Sequence, residues 1–347
     1  MEGLFAPDVF SNSKPIWNLT DGPPSDLLQS IFPFIEPGAD WTKARIEYSG
    51  AFEINSSNTR ITFPEGNCFL LKRWPTSAST KDIASVLGIM DWLAERSLPL
   101  PKPNEFTTGN NILQHGEYYW SYFDFISGDY FSGIGDEFEN VALAAGNLAS
   151  ALSELPVEMH PTQSFQHLTV EDDAAFNSMY AKKDNWDDLY GPDHAQLLKN
   201  AWPSLTESWK SMRNKVPDAG PFMPMHVDMH PHNLLVNNGQ IAAILDFEAC
   251  RMIRIGCAVA FNAMKQCRQK MVVNKELNPG DVGKKYLEII AREFPFIEPY
   301  KNNFCQLASM EVMRRICVIF RGSAQKAWNH VLPIQLNHLE EAKMLFP

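Results

Sequence analysis

Residues 226–248 read HVDMHPHNLLVNNGQIAAILDFE, and this stretch decides how the chain is interpreted. It places Asp228 and Asn233 on one loop, and an apolar hairpin that turns at 237–239 then carries Asp246 back to nearly the same place. Phosphoryl transfer from a magnesium nucleotide needs a carboxylate to orient the hydroxyl nucleophile, with an amide oxygen and a second carboxylate to hold the metal. The stretch therefore predicts a kinase that acts on a small molecule.

Each polar residue of the stretch has an expected role. Asp228 is predicted to accept the hydrogen bond of the substrate hydroxyl, and Asn233 and Asp246 are predicted to bind Mg²⁺ through oxygen. His230 is expected beside Asp228 near the phosphate, and His226 is expected to be a buried scaffold that bonds the loop backbone. The alternative for the acidic and amide residues is a structural one, in which they cap turns or end a strand.

The histidines also allow a different interpretation. His226, Asp228, His230 and His232 alternate, as metal ligands on one face of a strand do. A zinc or iron hydrolase is therefore an alternative. Pro231 speaks against it because proline interrupts a strand, and no carboxylate–histidine motif elsewhere completes a ligand shell.

Lys72 is a second candidate site residue. It lies at the end of the apolar run 68–74, where a lysine that points into a cleft can pair with the α- and β-phosphates of ATP. A solvated strand end is the alternative for a lone lysine. Arg73 is expected to face the opposite side.

Composition narrows the class of protein. A chain of 347 residues fits two lobes of unequal size, and its 45% hydrophobic and 20% charged residues are ordinary for a soluble globular protein. The net charge of -11 without a basic block argues against a nucleic-acid partner and is compatible with a cationic substrate. We expect no leader and no membrane span. The six cysteines show no paired short spacing, which indicates reduced thiols in a cytoplasmic protein.

The hydrophobic pattern predicts a small lobe of strands and one main helix. Strands are expected at 44–48, 59–63, 68–74, 112–115 and 118–125, with a turn at 64–67 and a short helix near 25–31. The amphipathic stretch 79–96 predicts a helix whose N-cap is Ser79 with Asp82 three residues on. Strand-strand-strand-helix-strand-strand is the element order of a kinase small lobe.

The chain after Gly128 is predicted to be mainly helical. Helices are expected at 141–155, 195–214, 282–294, 304–320 and 332–345. Residues 171–193 are acidic and aromatic and are predicted to form a mobile insertion on the substrate side. Its Trp186 and Tyr190 are candidates for a box around a quaternary ammonium group, with simple packing as the alternative.

Together these residues resemble the aminoglycoside phosphotransferase/choline kinase superfamily, which includes type II homoserine kinases. Its members read H-G-D-x-H-x-x-N, then an apolar hairpin into an aspartate and a glutamate. This chain matches at His226, Asp228, His230, Asn233 and 245–248. Further likeness extends over 69–75, 91–101, 122–128 and 314–337.

The resemblance implies a bilobal, ATP- and Mg²⁺-dependent phosphotransferase of the protein-kinase-like α+β class. It maps Asp228 to the catalytic base with His230 beside it, and Asn233 and Asp246 to the metal. For the nucleotide it implies Lys72 at the phosphates, Ser57 and Asn58 at the end of the phosphate-covering loop 49–58, and backbone contacts from Phe123 to Phe125.

The sequence departs from the family pattern at supporting positions. The small-lobe helix often supplies a glutamate partner to the lysine, but Val86 stands near that place and Asp82 is the substitute one turn earlier. The loop 49–58 has a single glycine. Residues 255–258, where the family pattern carries a further aspartate after the metal-binding one, contain no carboxylate. A kinase-shaped binding protein without transfer activity is therefore a further alternative.

The resulting prediction is a small antiparallel-sheet lobe with one helix (1–125) and a larger, mainly helical lobe (126–347) with the catalytic loop and substrate site. The function is a kinase for a hydroxyl group of a small metabolite. Homoserine, choline or ethanolamine, a sugar and an aminoglycoside all stay open as substrates, as does the oligomeric state.

Overall fold

The computed structural model describes residues 4–6, 14–19, 22–49, 57–322 and 329–347. Within them an antiparallel sheet with its helices precedes a larger, mainly helical part. This arrangement confirms the predicted fold class. Most of the predicted phosphate-covering loop, residues 50–56, lies outside the described residues.

The small lobe follows the predicted element order closely. Its sheet runs β1-β2-β3-β6-β4 with β5 paired to β6, and every pairing is antiparallel. The predicted capping box of α2 is present, since Ser79 and Asp82 bond each other's backbone N–H groups. The elements are α1 (Ser25–Ile35), β1 (Arg45–Ser49), β2 (Ser57–Thr62), β3 (Cys68–Arg73), α2 (Thr80–Ala94), β4 (Pro103–Asn104), β5 (Leu113–His115) and β6 (Tyr118–Asp124).

The two faces of β3 have different neighbours, because side chains alternate along a strand. Leu71 faces α1, which buries Leu28 and Phe32 against the sheet in a separate apolar cluster. The residues next to Leu71 face the other way, so that Leu70 and Lys72 point toward the large lobe. This alternation decides which residues of β3 reach the cleft.

The large lobe contains each of the five predicted helices, with bounds within a few residues. Among the described residues it also contains three helices that were not predicted, Val170–Ala181, Trp186–Tyr190 and Ile255–Val273. Its elements are β7 (Asp129–Tyr130), α3 (Glu137–Ser153), α4 (Val170–Ala181), α5 (Trp186–Tyr190), α6 (Pro192–Asn214), β8 (Phe222–His226), β9 (Leu234–Asn237), β10 (Gln240–Ile244), β11 (Cys250–Arg254), α7 (Ile255–Val273), α8 (Pro279–Glu293), α9 (Phe304–Gly322) and α10 (Leu332–Leu345).

Helix α7 is the centre of the large lobe. It packs against α3, α8, α9 and α10, and it buries residues on every side. A helix enclosed in this way has no polar face and therefore no amphipathic period to be recognised in the sequence. Its N-terminal half passes beneath the loop that follows β8, through Met229 and its neighbours.

The prediction of a mobile insertion at 171–193 is wrong. The segment forms α4, α5 and the start of α6, and Trp186 and Tyr190 are 2% and 6% exposed. Trp186 donates through Nε1 to the carbonyl oxygen of Met179 at 3.0 Å. These aromatic rings are part of the core, so they form no cage for a cation.

In the part of the chain that the structure describes, no helix combines the length and the apolar character needed to cross a membrane. All six cysteines are free, and four of them are buried. Burial raises the pKa of the Cys250 thiol to about 12. These buried cysteines are packing residues.

Candidate active site

The hairpin of residues 226–248 has the predicted shape. Strands β9 and β10 are joined by Asn238 and Gly239, whose positive φ values of 50° and 76° are those of a type I′ turn. At the end of β10, Asp246 also has a positive φ of 62°. This left-handed backbone turns the chain out of the strand and points it back toward the loop after β8.

His226 fixes that loop, as predicted. Its Nδ1 accepts from the backbone N–H of Asp228 at 3.2 Å, and its Nε2 lies 2.9 Å from the carbonyl oxygen of Leu245, to which it donates. Burial lowers the pKa of His226, so the ring is neutral at pH 7 and can accept at one nitrogen while donating at the other. The histidine thereby links the two ends of the hairpin.

Helix α7 supports the loop from below with two buried amides that the sequence analysis missed. Asn262 donates to the carbonyl oxygen of His226 at 2.7 Å and accepts from the N–H of Met229 at 3.1 Å. Gln266 donates to the carbonyl oxygen of Met229 at 3.2 Å, and Tyr286 donates to Gln266 at 2.6 Å. These two amides therefore hold the backbone of the loop from the side of α7.

Asp228 lies between two basic side chains. Arg315 of α9 donates to the Val227 carbonyl oxygen at 3.0 Å and lies 3.4 Å from Oδ1 of Asp228, and His230 Nε2 is 3.8 Å from Oδ2. Burial acts to raise the pKa of Asp228, but Arg315 and the neighbouring cations outweigh it and hold the pKa below its usual value. Burial lowers the pKa of His230 to about 4. At pH 7 the carboxylate is therefore ionised and the imidazole is neutral.

The side-chain amide of Asn233 is oriented by the loop itself. Its Nδ2 donates to the carbonyl oxygen of Asp228 at 2.8 Å, and its backbone oxygen accepts from the N–H of Leu245 at 2.8 Å. With the nitrogen committed to the loop, Oδ1 is the atom left to bind a ligand. An amide oxygen and a nearby carboxylate are the kind of hard donors that Mg²⁺ selects.

Asp246 and Glu248 form a pair of interacting carboxyl groups. Desolvation in the cleft and a hydrogen bond with Glu248 raise the pKa of Asp246 to about 7, although the side chain is open to the cavity. Burial opposes the charge on Glu248, but an ion pair with Lys72 outweighs it and lowers the pKa of Glu248. A cation at Asp246 would lower its pKa again, because a bound metal favours the ionised ligand.

Glu248 is thus the partner of Lys72, and the suggestion that Asp82 takes this part is wrong. The Asp82 carboxylate accepts from the N–H and hydroxyl of Ser79, at 3.3 and 2.6 Å. It is committed to capping α2. Lys72 Nζ also lies 4.7 Å from the ring centroid of Trp74. The lysine of the small lobe is therefore held across the cleft by the motif of the large lobe.

Two cavities flank this hairpin. The loop cavity, about 590 Å³, is lined by Asp228, His230 and Asp246, which the structure brings together there. The hinge cavity, about 550 Å³, is lined by Asn58 and Phe125 with apolar residues that include Leu70 and Leu245. Because Leu245 and Asp246 are adjacent, the end of β10 separates the two cavities.

Two of the predicted nucleotide residues, Ser57 and Phe123, do not line the hinge cavity. Ser57 pairs with Arg73 in the sheet and accepts from its Nε at 3.4 Å, so it faces the α1 side while Asn58 faces the cavity. Phe123 is 3% exposed, and its strand is paired with both β3 and β4. The backbone N–H of Phe125 donates to the carbonyl oxygen of Cys68 at 3.0 Å. Of these four residues, Asn58 and Phe125 line the cavity among the residues that are described.

The geometry does not favour the metal-hydrolase alternative. Both ring nitrogens of His226 are used by the loop, and Nδ1 of His230 accepts from the N–H of His232 at 3.1 Å. Among the described residues, no three His, Cys, Asp or Glu side chains converge as a metal-binding group. A magnesium site of one carboxylate and one amide, completed by phosphates and water, has fewer protein ligands than such a group.

The fold and the hairpin motif place the chain in the class of phosphotransferases built on the protein-kinase-like fold. Residues 51–260 match the model of the phosphotransferase enzyme family. The match spans more than half of the chain, and the chain belongs to this family. No curated protein matches the chain.

Solved structures share the fold at low sequence identity. A spectinomycin phosphotransferase in complex with ADP and spectinomycin is 12% identical, with a TM-score of 0.68 over 94% of this chain and 98% of that one. A microcompartment-associated aminopropanol kinase is 12% identical, with a TM-score of 0.61 over 93% and 100%. An amicoumacin kinase in complex with AMP-PNP, Ca²⁺ and Ami is also 12% identical, with a TM-score of 0.60 over 89% of this chain and 93% of that one.

Proposed function

We propose that this phosphotransferase moves the γ-phosphate of Mg-ATP to a hydroxyl group of a small molecule in the loop cavity. The observation that carries the proposal is the meeting of Asp228 and Asp246 in one cavity, with the amide of Asn233 tied to the backbone of Asp228. The related folds named above hold ADP or AMP-PNP with small-molecule substrates, which supports the same ligand classes here.

The donor set fits a magnesium ion. Asn233 and Asp246 would hold it through Oδ1 and the carboxylate, and the raised pKa of Asp246 reflects a group that a cation would stabilise. When bound, Mg²⁺ would neutralise the negative charge that develops on the phosphates during transfer.

In this proposal Asp228 is the group that orients the acceptor. Because it is ionised, it can accept the hydrogen bond of the hydroxyl, align the oxygen in line with phosphorus and take its proton late in the transfer. Arg315 fixes the carboxylate by bonding the adjacent carbonyl oxygen. His230 is neutral beside Asp228 and can hydrogen-bond the transferred phosphoryl group without competing for the hydroxyl proton.

The nucleotide is assigned to the hinge cavity, with its phosphates directed past Leu245 toward Asp246. Lys72, positioned by Glu248, would pair with the α- and β-phosphates. Leu70 and Leu245 offer apolar contact to the base from the two lobes, beside the aromatic ring of Phe125. In this proposal the two lobes, residues 1–125 and 126–347, meet at a hinge between residues 125 and 126.

The test is ATP consumption with a panel of hydroxylated metabolites, comparing the parent with Asp228→Ala. Turnover is expected to fall by several powers of ten, or about 4 kcal/mol and more, because a positioning group of this kind acts mainly in the transition state. The matched control is Asp187→Ala, an exposed aspartate that pairs with Lys199. Equal turnover of Asp228→Ala and the control would contradict the proposal.

The alternative of a binding protein without transfer activity loses its main argument, since Glu248 replaces the absent helix glutamate as the lysine partner. A thermal-shift titration with ATP, with and without Mg²⁺, separates the two functions when it is combined with the turnover assay. Binding that depends on Mg²⁺ but leads to no phosphorylated product from any acceptor would favour the binding protein.

A further inference from the structure

The loop cavity is lined by several basic side chains on the side away from the hinge. Its lining includes four basic residues, Arg251 from β11, Lys265 from α7, and Arg314 and Arg315 from α9. These elements are distant in the chain and meet only in the folded protein. Their charges lie where an acceptor molecule that reaches Asp228 must bind.

One buried carboxylate serves two of these cations. Glu311 is fully buried and accepts from Arg314 at 2.6 and 2.8 Å and from Arg315 at 2.9 Å. His167 also contacts Glu311, at 2.9 Å from its Nε2. Glu311 is therefore shared by both guanidinium groups, and Arg315 also lies 3.4 Å from Oδ1 of Asp228. The lining itself carries these four basic side chains and three carboxylates, Asp228, Asp246 and Glu248.

The carboxylates that line the cavity are already assigned. Asp246 is the proposed metal ligand, Glu248 is paired with Lys72, and Asp228 is the proposed base. Among the described residues that line the cavity, none of the carboxylates is left for an ammonium group of the acceptor. Trp186 and Tyr190, the aromatic residues that the sequence suggested for a quaternary ammonium, lie in the core instead.

Apolar side chains complete the wall. Phe165, Val318, Ile319, Val331 and Ile334 line the same cavity. Phe165 packs between two of the cations, with Arg314 at 4.0 Å and Arg251 at 5.6 Å from its ring centroid. Such a surface binds a molecule that has an aliphatic segment and an anionic end.

We infer that the acceptor is an anionic alcohol, in which an aliphatic segment separates the reacting hydroxyl from a carboxylate or phosphate that binds the Arg251, Lys265, Arg314 and Arg315 wall. This inference rests on the proposed function for the choice of the reacting group. It excludes the cationic acceptors, choline, ethanolamine and aminoglycosides, that the sequence left open. The net charge of the whole chain is negative, but the local charge at the cavity is the one that an acceptor meets.

The experiment measures binding of matched probes by calorimetry with Mg²⁺ and AMP-PNP present, so that the nucleotide occupies its own site. The probes are ω-hydroxyhexanoate, ω-hydroxyhexyl phosphate and ω-aminohexanol, which share the hydroxyl and the chain and differ in the charged end. Tighter binding of either anionic probe supports the inference, and the stronger of the two identifies the anion. Equal binding of all three probes, including no detectable binding, or tighter binding of the amine, would overturn it.

Charge variants at the edge of the cavity test the same point without touching the buried cluster. Val318 is 39% exposed and lines the cavity, so Val318→Glu and Val318→Lys should both fold. Relative to Val318→Gln, we expect the glutamate to weaken binding of the preferred anionic probe about fivefold and the lysine to strengthen it by a similar factor. Val216→Glu, at an exposed position outside the cavity lining, is the control for net charge. Identical affinities of the glutamate and lysine variants would contradict the inference.

Failure of the proposed function and failure of this inference give different results in these experiments. Failure of the parent to bind Mg-AMP-PNP or to turn over ATP would sink the kinase proposal whichever probe binds. Conversely, phosphorylation of ω-aminohexanol in preference to the anionic probes would leave the kinase proposal intact and overturn only the substrate class. Displacement of AMP-PNP by the anionic probes would assign the basic wall to the nucleotide and also overturn the inference.

Discussion

The two cavities beside the hairpin are similar in size but are built differently. The hinge cavity is formed largely by strands and the segments between them, with charged residues of both signs, including Arg60 and Asp129. The loop cavity combines the loops at both ends of the hairpin and β11 with side chains of α7, α9 and the α10 region, and its basic residues outnumber its acidic ones. In the proposed function the nucleotide occupies the first cavity, and the second is where this chain's own specificity is expected.

Lys72 and Asp228 are held in place by different numbers of neighbouring residues. On the hinge side, Lys72 is held by one ion pair across the cleft. On the loop side, Asp228 is held by His226, Arg315 and the α7 amides, all of them buried or partly buried. We therefore expect changes on the loop side to affect turnover and folding together, and changes on the hinge side to affect mainly nucleotide binding.

The largest expected effect is at the boundary of the two cavities. Asp246→Asn keeps a residue that tolerates the left-handed backbone at φ 62° but removes the metal-binding charge. We expect turnover to fall by at least about a thousandfold, or roughly 4 kcal/mol, and Mg²⁺ to lose its effect on ATP binding. Asp129→Asn, which removes a carboxylate from the hinge cavity, is the control in the same turnover and titration assays. Equal losses in both variants would break the distinction between the cavities.

The next largest effect concerns folding on the loop side. Glu311→Gln leaves Arg314 and Arg315 without their buried counter-charge, and we expect the free energy of unfolding at pH 7 to fall by roughly 3–5 kcal/mol. The exposed Glu298→Gln is the control. Denaturant titration measures both. A loss at position 311 no larger than that at 298 would mean that the basic wall does not depend on this carboxylate.

The same residue gives a pH dependence with a defined sign. Burial acts to raise the pKa of Glu311, but its arginine and histidine partners hold it well below 4.5. A depressed pKa contributes stability that is complete above the unfolded value and is lost as the pH falls through the folded value. The parent should therefore lose stability below about pH 4.5 more steeply than Glu311→Gln. Parallel acid-unfolding curves would contradict this assignment.

A smaller effect is expected on the hinge side. Lys72→Met should raise the KM for ATP about tenfold or more, and Glu248→Gln should raise it less, because the glutamine still bonds the lysine. The double variant tests the pair, since the two effects should not add if Glu248 acts by positioning Lys72. Full additivity would show that the two residues act independently, and Arg60→Met, which removes a different cation of the small-lobe sheet, serves as the control.

The smallest effect is expected at the support beneath the loop. Asn262→Ala removes two buried hydrogen bonds to the loop backbone, and we expect stability to fall by about 1–3 kcal/mol with a lower kcat. Asn200→Ala, on the exposed face of α6, is the control. Denaturant titration and initial rates measure the two effects. An unchanged kcat in Asn262→Ala would show that α7 supports the fold without positioning the catalytic loop.

Much of the fold was predictable because its signals are local. The capping box of α2, the Asn-Gly turn and the periodic helices each depend on residues close in sequence. Helix α7 was missed because it is buried on all sides, and α4 because its first turn is acidic and its buried apolar residues, Ala175, Phe176 and Met179, form only a short stripe. Tertiary packing, rather than periodicity, determines these two helices.

The site divides in the same way. Asp228, Asn233 and Asp246 were recognisable because one hairpin carries all three. Two ion pairs were not recognisable from the sequence, Lys72 with Glu248 and Asp228 with Arg315. Each pair joins residues that are far apart in the chain, so no sequence spacing relates them. Ser57 and Asn58 differ by a single position in the register, which reverses the face on which a side chain lies.

The most direct test is an experimental structure with Mg²⁺ and AMP-PNP bound. We expect a magnesium ion roughly 2.0–2.1 Å from Oδ1 of Asn233 and from a carboxylate oxygen of Asp246, with the γ-phosphate facing Asp228. We also expect the adenine in the hinge cavity beside Phe125. A metal held by other residues, or a γ-phosphate outside the loop cavity, would contradict the proposed phosphotransfer site.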